Sequence, residues 1–133
     1  MEICVEVFVT VHCLIIGLSH VVQPRAWIDL MIWLREREAK GVFCLGFLYL
    51  WTGSLIVSFH WIWSGLAAVL TVLGIVCLIK AAVCFLVPSL QLRSLARVSH
   101  DRPRDFQIGG SILIVLSVLL AVIVARSRVQ MNV

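Results

Sequence analysis

Four ionisable side chains, Glu6, His12, His20 and Lys80, lie inside long apolar runs of this 133-residue chain. A charged group at the centre of a bilayer core costs roughly 2.5–3.5 kcal/mol unless it is paired or hydrated, so each is a candidate intramembrane polar site. A carboxylate and imidazoles can pass protons or hold a cation. Glu6, Thr10, Cys13, Gly17 and His20 step by four, three, four and three residues, which puts them on one helix face. That stripe reads either as a proton or cation path or as the buried seam of a helical bundle. His12 falls about 100° off the stripe and reads as a hydrogen-bonded neutral imidazole or as a relay. Lys80 lies about 12 Å from Pro88 along a helix, within reach of a snorkelling ammonium. A partner helix or an anionic lipid is its alternative company. A direct Glu6–Lys80 pair is not expected, because their depths differ by about 15 Å. His60, beside Trp61, reads as a residue of the headgroup belt, and His100 as solvated.

The chain contains no nucleophile–base motif, HExxH, phosphate loop or paired-carboxylate site. No catalytic residue, cofactor or metal site is expected, and the protein is not expected to be an enzyme. Cys4, Cys13, Cys44, Cys77 and Cys84 form no CxxC pair and all fall within apolar runs, where buried structural thiols are expected.

The elements that must position these groups are the apolar runs themselves. Residues 3–22, 42–59, 62–87 and 106–125 are each about long enough to cross a hydrocarbon core of about 30 Å. The composition is 62% hydrophobic and 14% charged, and mean hydropathy is +1.07, which excludes a water-soluble domain of this size. The expected fold is all-α: one polytopic membrane domain with four transmembrane helices arranged as two parallel hairpins. The first run starts with Glu2 and Glu6 rather than basic residues and lacks a small-residue cleavage site. It reads as a retained helix.

The net charge of +4 sits beside the spans, which points to lipid headgroups and topology rather than nucleic acid. Arg25, Arg35, Arg37 and Lys40 follow the first run, and Arg93, Arg97, Arg102 and Arg104 follow the third. The connection around His60 has no Lys or Arg, and Arg126 and Arg128 follow the last run. The positive-inside rule places the first and third connections in the cytoplasm and both termini outside. Trp61 and Trp63 flank the outer turn, Trp27 and Trp33 mark the first connection, and Trp51 is expected to pack between helices.

A shift of 64 residues overlays Pro24 on Pro88, Gly46 on Gly110 and Gly53 on Ser117. Each half then reads as a span, a proline, an amphipathic segment with arginines, and a second span, the halves lying parallel. Pro24 and Pro88 can end a span or open the next helix at its first position. Short interfacial helices are expected over 25–38 and 89–98, with Arg25, Arg93 and Arg97 reaching lipid headgroups. Arg25 could pair with Asp29, and Asp101 could cap a last span opened by Pro103. Gly46, Gly53, Gly110 and Ser117 are helix-packing candidates, either inside the bundle or toward another subunit.

Gly17, Pro24, Trp27, Gly41 and Gly46 in the first half, and Pro88, Arg104, Gly109 and Gly110 in the second, carry a resemblance to the YjeT-type family of small bacterial inner-membrane proteins. Gln91 stands where the second tryptophan would fall. The resemblance implies architecture and a bacterial inner membrane, not a chemistry. Ile62-Trp63-Ser64-Gly65 is similar to a stretch of the small multidrug resistance transporters, but the terminal position of Glu6 and the long first connection set the chain apart.

The expected function is that of a non-enzymatic accessory, scaffold or assembly subunit, with anionic lipids and other membrane subunits, or further copies of itself, as partners. The alternative is a small oligomeric transporter or channel coupled through Glu6, His12 or Lys80.

Overall fold

The computed structural model describes residues 2–131. Six α-helices follow in order: α1 (Glu2–Val22), α2 (Pro24–Glu36), α3 (Glu38–Phe59), α4 (Ala68–Leu86), α5 (Pro88–Leu95) and α6 (Pro103–Met131), with a 3-10 turn at Gly65–Ala67. No strand occurs among the described residues. Ile3–Val22, Glu38–Phe59, Ala68–Leu86 and Pro103–Arg126 are long and apolar enough to cross a membrane. Phe47, Leu48, Ile79 and Leu86 point outward from them, as a lipid-facing surface requires.

Both prolines break the chain in the same way. Gln23 (φ −127°, ψ 55°) and Val87 (φ −136°, ψ 64°) leave the helix, and Pro24 and Pro88 restart it where a backbone N–H is not needed. The resulting helices α2 and α5 lie side by side at one end of the bundle, where Arg35 donates to the Val98 carbonyl at 3.4 Å. The chain then turns sharply into α3 through Glu38, whose φ of 51° is left-handed. Gly41 permits that turn, because a Cβ there would collide with the Leu34 backbone.

Several boundaries differ from the sequence expectation. Residues 38–40, with charged Glu38 and Lys40, continue as helix, so α3 begins before the apolar run does. Residues 62–67 are apolar yet not α-helical, and α4 starts only at Ala68. Gly65 at φ 59° breaks the helical path, and Thr71 satisfies the loop backbone from within α4. The connection between α3 and α4 therefore spans residues 60–67 rather than a tight turn. The Asp101 carboxylate accepts from Ser99 Oγ at 2.9 Å instead of capping α6, which Pro103 does open. Asp29 faces His100 Nε2 at 3.6 Å rather than Arg25. Trp51 is 74% exposed, not packed between helices, and Cys4 and Cys44 also face outward.

The closest packing pairs α1 with α6, the first and last helices, and α3 with α4, which follows it directly. Gly17 and Gly110 form the first crossing. A Cβ on Gly17 would lie 2.8 Å from the Gly110 carbonyl oxygen, and one on Gly110 would lie 2.7 Å from that of Gly17. Gly53 forms the second, where a Cβ would lie 2.9 Å from the Gly74 carbonyl oxygen. Bare backbones let these helices approach closely enough for dispersion contacts to hold them in lipid. One core joins Val5, Val9, Cys13, Ile56, Leu70 and Leu120 near the 60–67 end, and another joins Leu34, Val42, Leu45, Cys84 and Leu95 near α2 and α5.

Candidate functional site

The seam predicted on α1 faces the bundle. Glu6 is 3% exposed, Cys13 and Gly17 are buried, and Thr10 hydrogen-bonds back to the Glu6 carbonyl at 2.7 Å. Ser117 of α6 donates to the Thr10 carbonyl at 3.0 Å, tying α6 to the same stripe. Glu6 is not alone at its depth. His60, at the C-terminal end of α3, is 0% exposed and places Nδ1 3.8 Å from Oε1 of Glu6.

The connection after α3 builds the rest of the site. His60 leaves the helix in an extended conformation, its N–H still donating to the Ile56 carbonyl at 2.8 Å. The 3-10 turn brings the Ala67 carbonyl to 3.2 Å from His60 Nε2. Thr71, fully buried, accepts from Ile62 N–H at 3.2 Å and donates to the Ile62 carbonyl at 2.9 Å, with the His60 carbonyl at 3.4 Å as a second acceptor. One hydroxyl thus supplies hydrogen bonds that an irregular backbone inside a bilayer cannot take from water. Oε2 of Glu6 and Nδ1 of His60 have no hydrogen-bond partner among the described residues. His60 is therefore no belt residue. Trp61 and Trp63 beside it are both exposed and packed edge to face, their ring centroids 5.4 Å apart.

The other candidates lie apart from this pair. His20 is stacked on Trp27 at 4.0 Å and near Phe106 at 5.8 Å, at the opposite end of α1. Its Nδ1 lies 2.8 Å from the Ile16 carbonyl, which can only accept, so that nitrogen carries the proton. Trp27 Nε1 donates to Ser19 Oγ at 3.0 Å, completing a joint between α1, α2 and α6. His12 is exposed on the outer face of α1 against Phe8. Lys80 is exposed on α4, its ammonium 5.3 Å above the Tyr49 ring. Of the small-residue positions, Gly46 meets Cys84 and Phe85, Gly53 meets Gly74 and Leu78, Gly110 meets Gly17 and His20, and Ser117 meets Thr10. Arg25, Arg93 and Arg97 are exposed at the α2–α5 end. No group of three or more His, Cys, Asp or Glu side chains is arranged to hold a metal among the described residues.

Four apolar helices, an outward apolar surface and an inward polar pair define a polytopic, all-α integral membrane protein. No protein-family model, curated protein or solved structure matches the chain.

Proposed function

We propose that the protein is a non-enzymatic accessory, scaffold or assembly subunit of a larger membrane complex. The observation that carries this reading is the outward placement of His12 and Lys80. Ionisable residues within spans almost always face the bundle interior or water, because lipid offers them no partner. His12 on the outer face of α1, and Lys80, exposed although its ammonium stands over the Tyr49 ring, suit contact with another protein's helices.

The reading extends to how the chain is built and placed. The 64-residue offset carries His20 and Val21 onto Cys84 and Phe85, and Gly46 onto Gly110. Gly110 packs on the first of these pairs and Gly46 on the second. The same offset carries Thr10 onto Gly74 and Gly53 onto Ser117, and both resulting pairs are in contact across the helices. This supports an internal duplication in which the second span of each half packs on the first span of the other. The basic connections carrying α2 and α5 lie on the cytoplasmic side, with Arg25, Arg93 and Arg97 on anionic headgroups and the 60–67 connection outside. The resemblance of each half to YjeT-type proteins suggests a bacterial inner membrane.

Crosslinking in native membranes followed by mass spectrometry tests the subunit reading. Reproducible crosslinks to one larger membrane protein, lost in His12→Ala or Lys80→Met while the variant remains folded, are the expected result. Tagged protein that emerges alone from mild detergent, with crosslinks to nothing, overturns it.

A further inference from the structure

Geometry dictates how many protons the Glu6–His60 pair needs. The Ala67 carbonyl can only accept, so its 3.2 Å contact fixes a proton on Nε2 of His60. In the neutral ring Nδ1 is then a bare lone pair, and it faces Oε1 of Glu6 at 3.8 Å. With Glu6 ionised and His60 neutral, two acceptors would confront each other inside the bundle with no donor between them. Buried acceptors without donors are costly, and an unpaired buried carboxylate more so. A single added proton resolves the conflict. With the 3.8 Å gap closed by about 1 Å, the proton held on Glu6 makes an O–H donor for Nδ1, and held on Nδ1 it makes an imidazolium paired with a carboxylate. Both arrangements contain the same number of protons.

We propose that Glu6 and His60 form a one-proton binding site between Oε1 and Nδ1, and that the bound proton latches the 60–67 connection onto α1. The proton comes from the medium and returns to it, with no other bond made or broken. Loss of the proton leaves facing lone pairs and frees His60, whose carbonyl and ring anchor the connection through Thr71 and Ala67. The packed elements bring few other titratable groups, counted among the described residues. From α1 come Cys4 and His12, both exposed, and buried Cys13 about two turns away. From α4 come neutral Thr71 and, further along, Cys77; from α3, Tyr49 about three turns off. From α6 comes exposed Arg126, which forms no ion pair with Glu6.

The test is nitrogen NMR of protein carrying ¹⁵N-labelled histidine in lipid nanodiscs, titrated from about pH 6 to about pH 9. His60 is assigned by comparison with His60→Gln. The expected wild-type result at neutral pH is an Nδ1 that carries or accepts one hydrogen-bonded proton, lost in a single step as the pH is raised. Amide hydrogen exchange at Ile62, after correction for intrinsic pH dependence, should rise by up to roughly tenfold per pH unit as the pH climbs toward the step and level off beyond it. Glu6→Gln offers an amide N–H to Nδ1 at every pH, so the step should vanish. An Nδ1 that neither carries nor accepts a hydrogen-bonded proton in the wild type at neutral pH overturns the site, as does an unchanged step in Glu6→Gln. A proton that leaves without any rise in Ile62 exchange overturns the latch. Should Glu6→Gln fail to insert, the wild-type Nδ1 signal still decides.

Discussion

Adjacent glycines on α6 should respond in opposite directions to the same substitution. Gly109 has open space where a Cβ would go, whereas a Cβ on Gly110 would stand 2.7 Å from the Gly17 carbonyl oxygen and 2.7 Å from Cβ of His20. Ordinary contact begins near 3.4 Å, so the added methyl is about 0.7 Å too close on both counts. The Gly17 obstacle is backbone and cannot rotate away; α1 and α6 must part. A radial gap of about 0.5–1 Å forfeits roughly a quarter to a half of each dispersion contact it opens. Overpacking of this kind costs about 1–3 kcal/mol. Both substitutions gain the same intrinsic helix preference of alanine over glycine, up to about 1 kcal/mol. That gain cancels between them, and the difference in stability should be the steric cost alone. Gly109→Ala should be neutral or stabilising, and Gly110→Ala less stable than it by about 1–3 kcal/mol. Reversible unfolding in mixed micelles, followed by far-ultraviolet circular dichroism, measures that difference. Equal stabilities within about 0.5 kcal/mol would refute the close Gly17–Gly110 crossing.

Gly41→Ala should do more damage than either, since its methyl collides with the Leu34 backbone at the turn into α3; accumulation of folded protein in membranes should fall sharply, and wild-type yield would contradict the turn geometry. Thr71→Val keeps the shape but strips the Ile62 N–H and carbonyl of their partner, so stability should drop by about 1–3 kcal/mol with faster exchange confined to the 60–67 connection; exchange unchanged there counts against Thr71 as its anchor. Ser117→Ala removes one interhelical hydrogen bond and should cost only about 0.6 kcal/mol in the same unfolding assay, a loss above about 2 kcal/mol being too large for it. In folded protein in detergent, a small maleimide should modify Cys4 and Cys44 while sparing Cys13 and Cys84 until unfolding, and prompt labelling of Cys84 would contradict its burial.

The spans and their proline breaks were legible because each follows from a one-body property. Hydropathy finds a helix that must cross lipid, and a proline without an N–H fits at a helix start, as Pro24 and Pro88 show. Pairwise properties were harder to read. The seven-residue spacing of Gly46 and Gly53 puts them on one face, but nothing in that spacing says that the face meets α4. The start of α4 escaped because Ile62 and Trp63 are as apolar as a span, and only the left-handed Gly65 and the reach of Thr71 take them out of the helix. His60 escaped because Trp61 beside it resembles a headgroup marker. A signal was nevertheless present. Glu6 lies near the start of the first span and His60 at the end of the second, so antiparallel spans put them at similar depth. An acid in a span needs a partner, and His60 is the base at that level.

The two ends of the bundle solve the same backbone problem differently. At the α2–α5 end the chain leaves each span through one residue and re-enters helix at a proline, so little backbone is left unpaired, and aromatic stacking of His20, Trp27 and Phe106 closes the joint. At the other end residues 60–67 cannot stay in α-helix, and their polar backbone must be satisfied by side chains. Thr71 and His60 do this from inside the apolar bundle. That choice creates the need for Glu6. Once Nε2 of His60 is committed to the Ala67 carbonyl, its other nitrogen is buried and requires a proton-bearing neighbour. An asparagine or glutamine at position 6 would meet that requirement permanently. A carboxyl group meets it only while a proton is present, and so turns a structural closure into one that responds to pH.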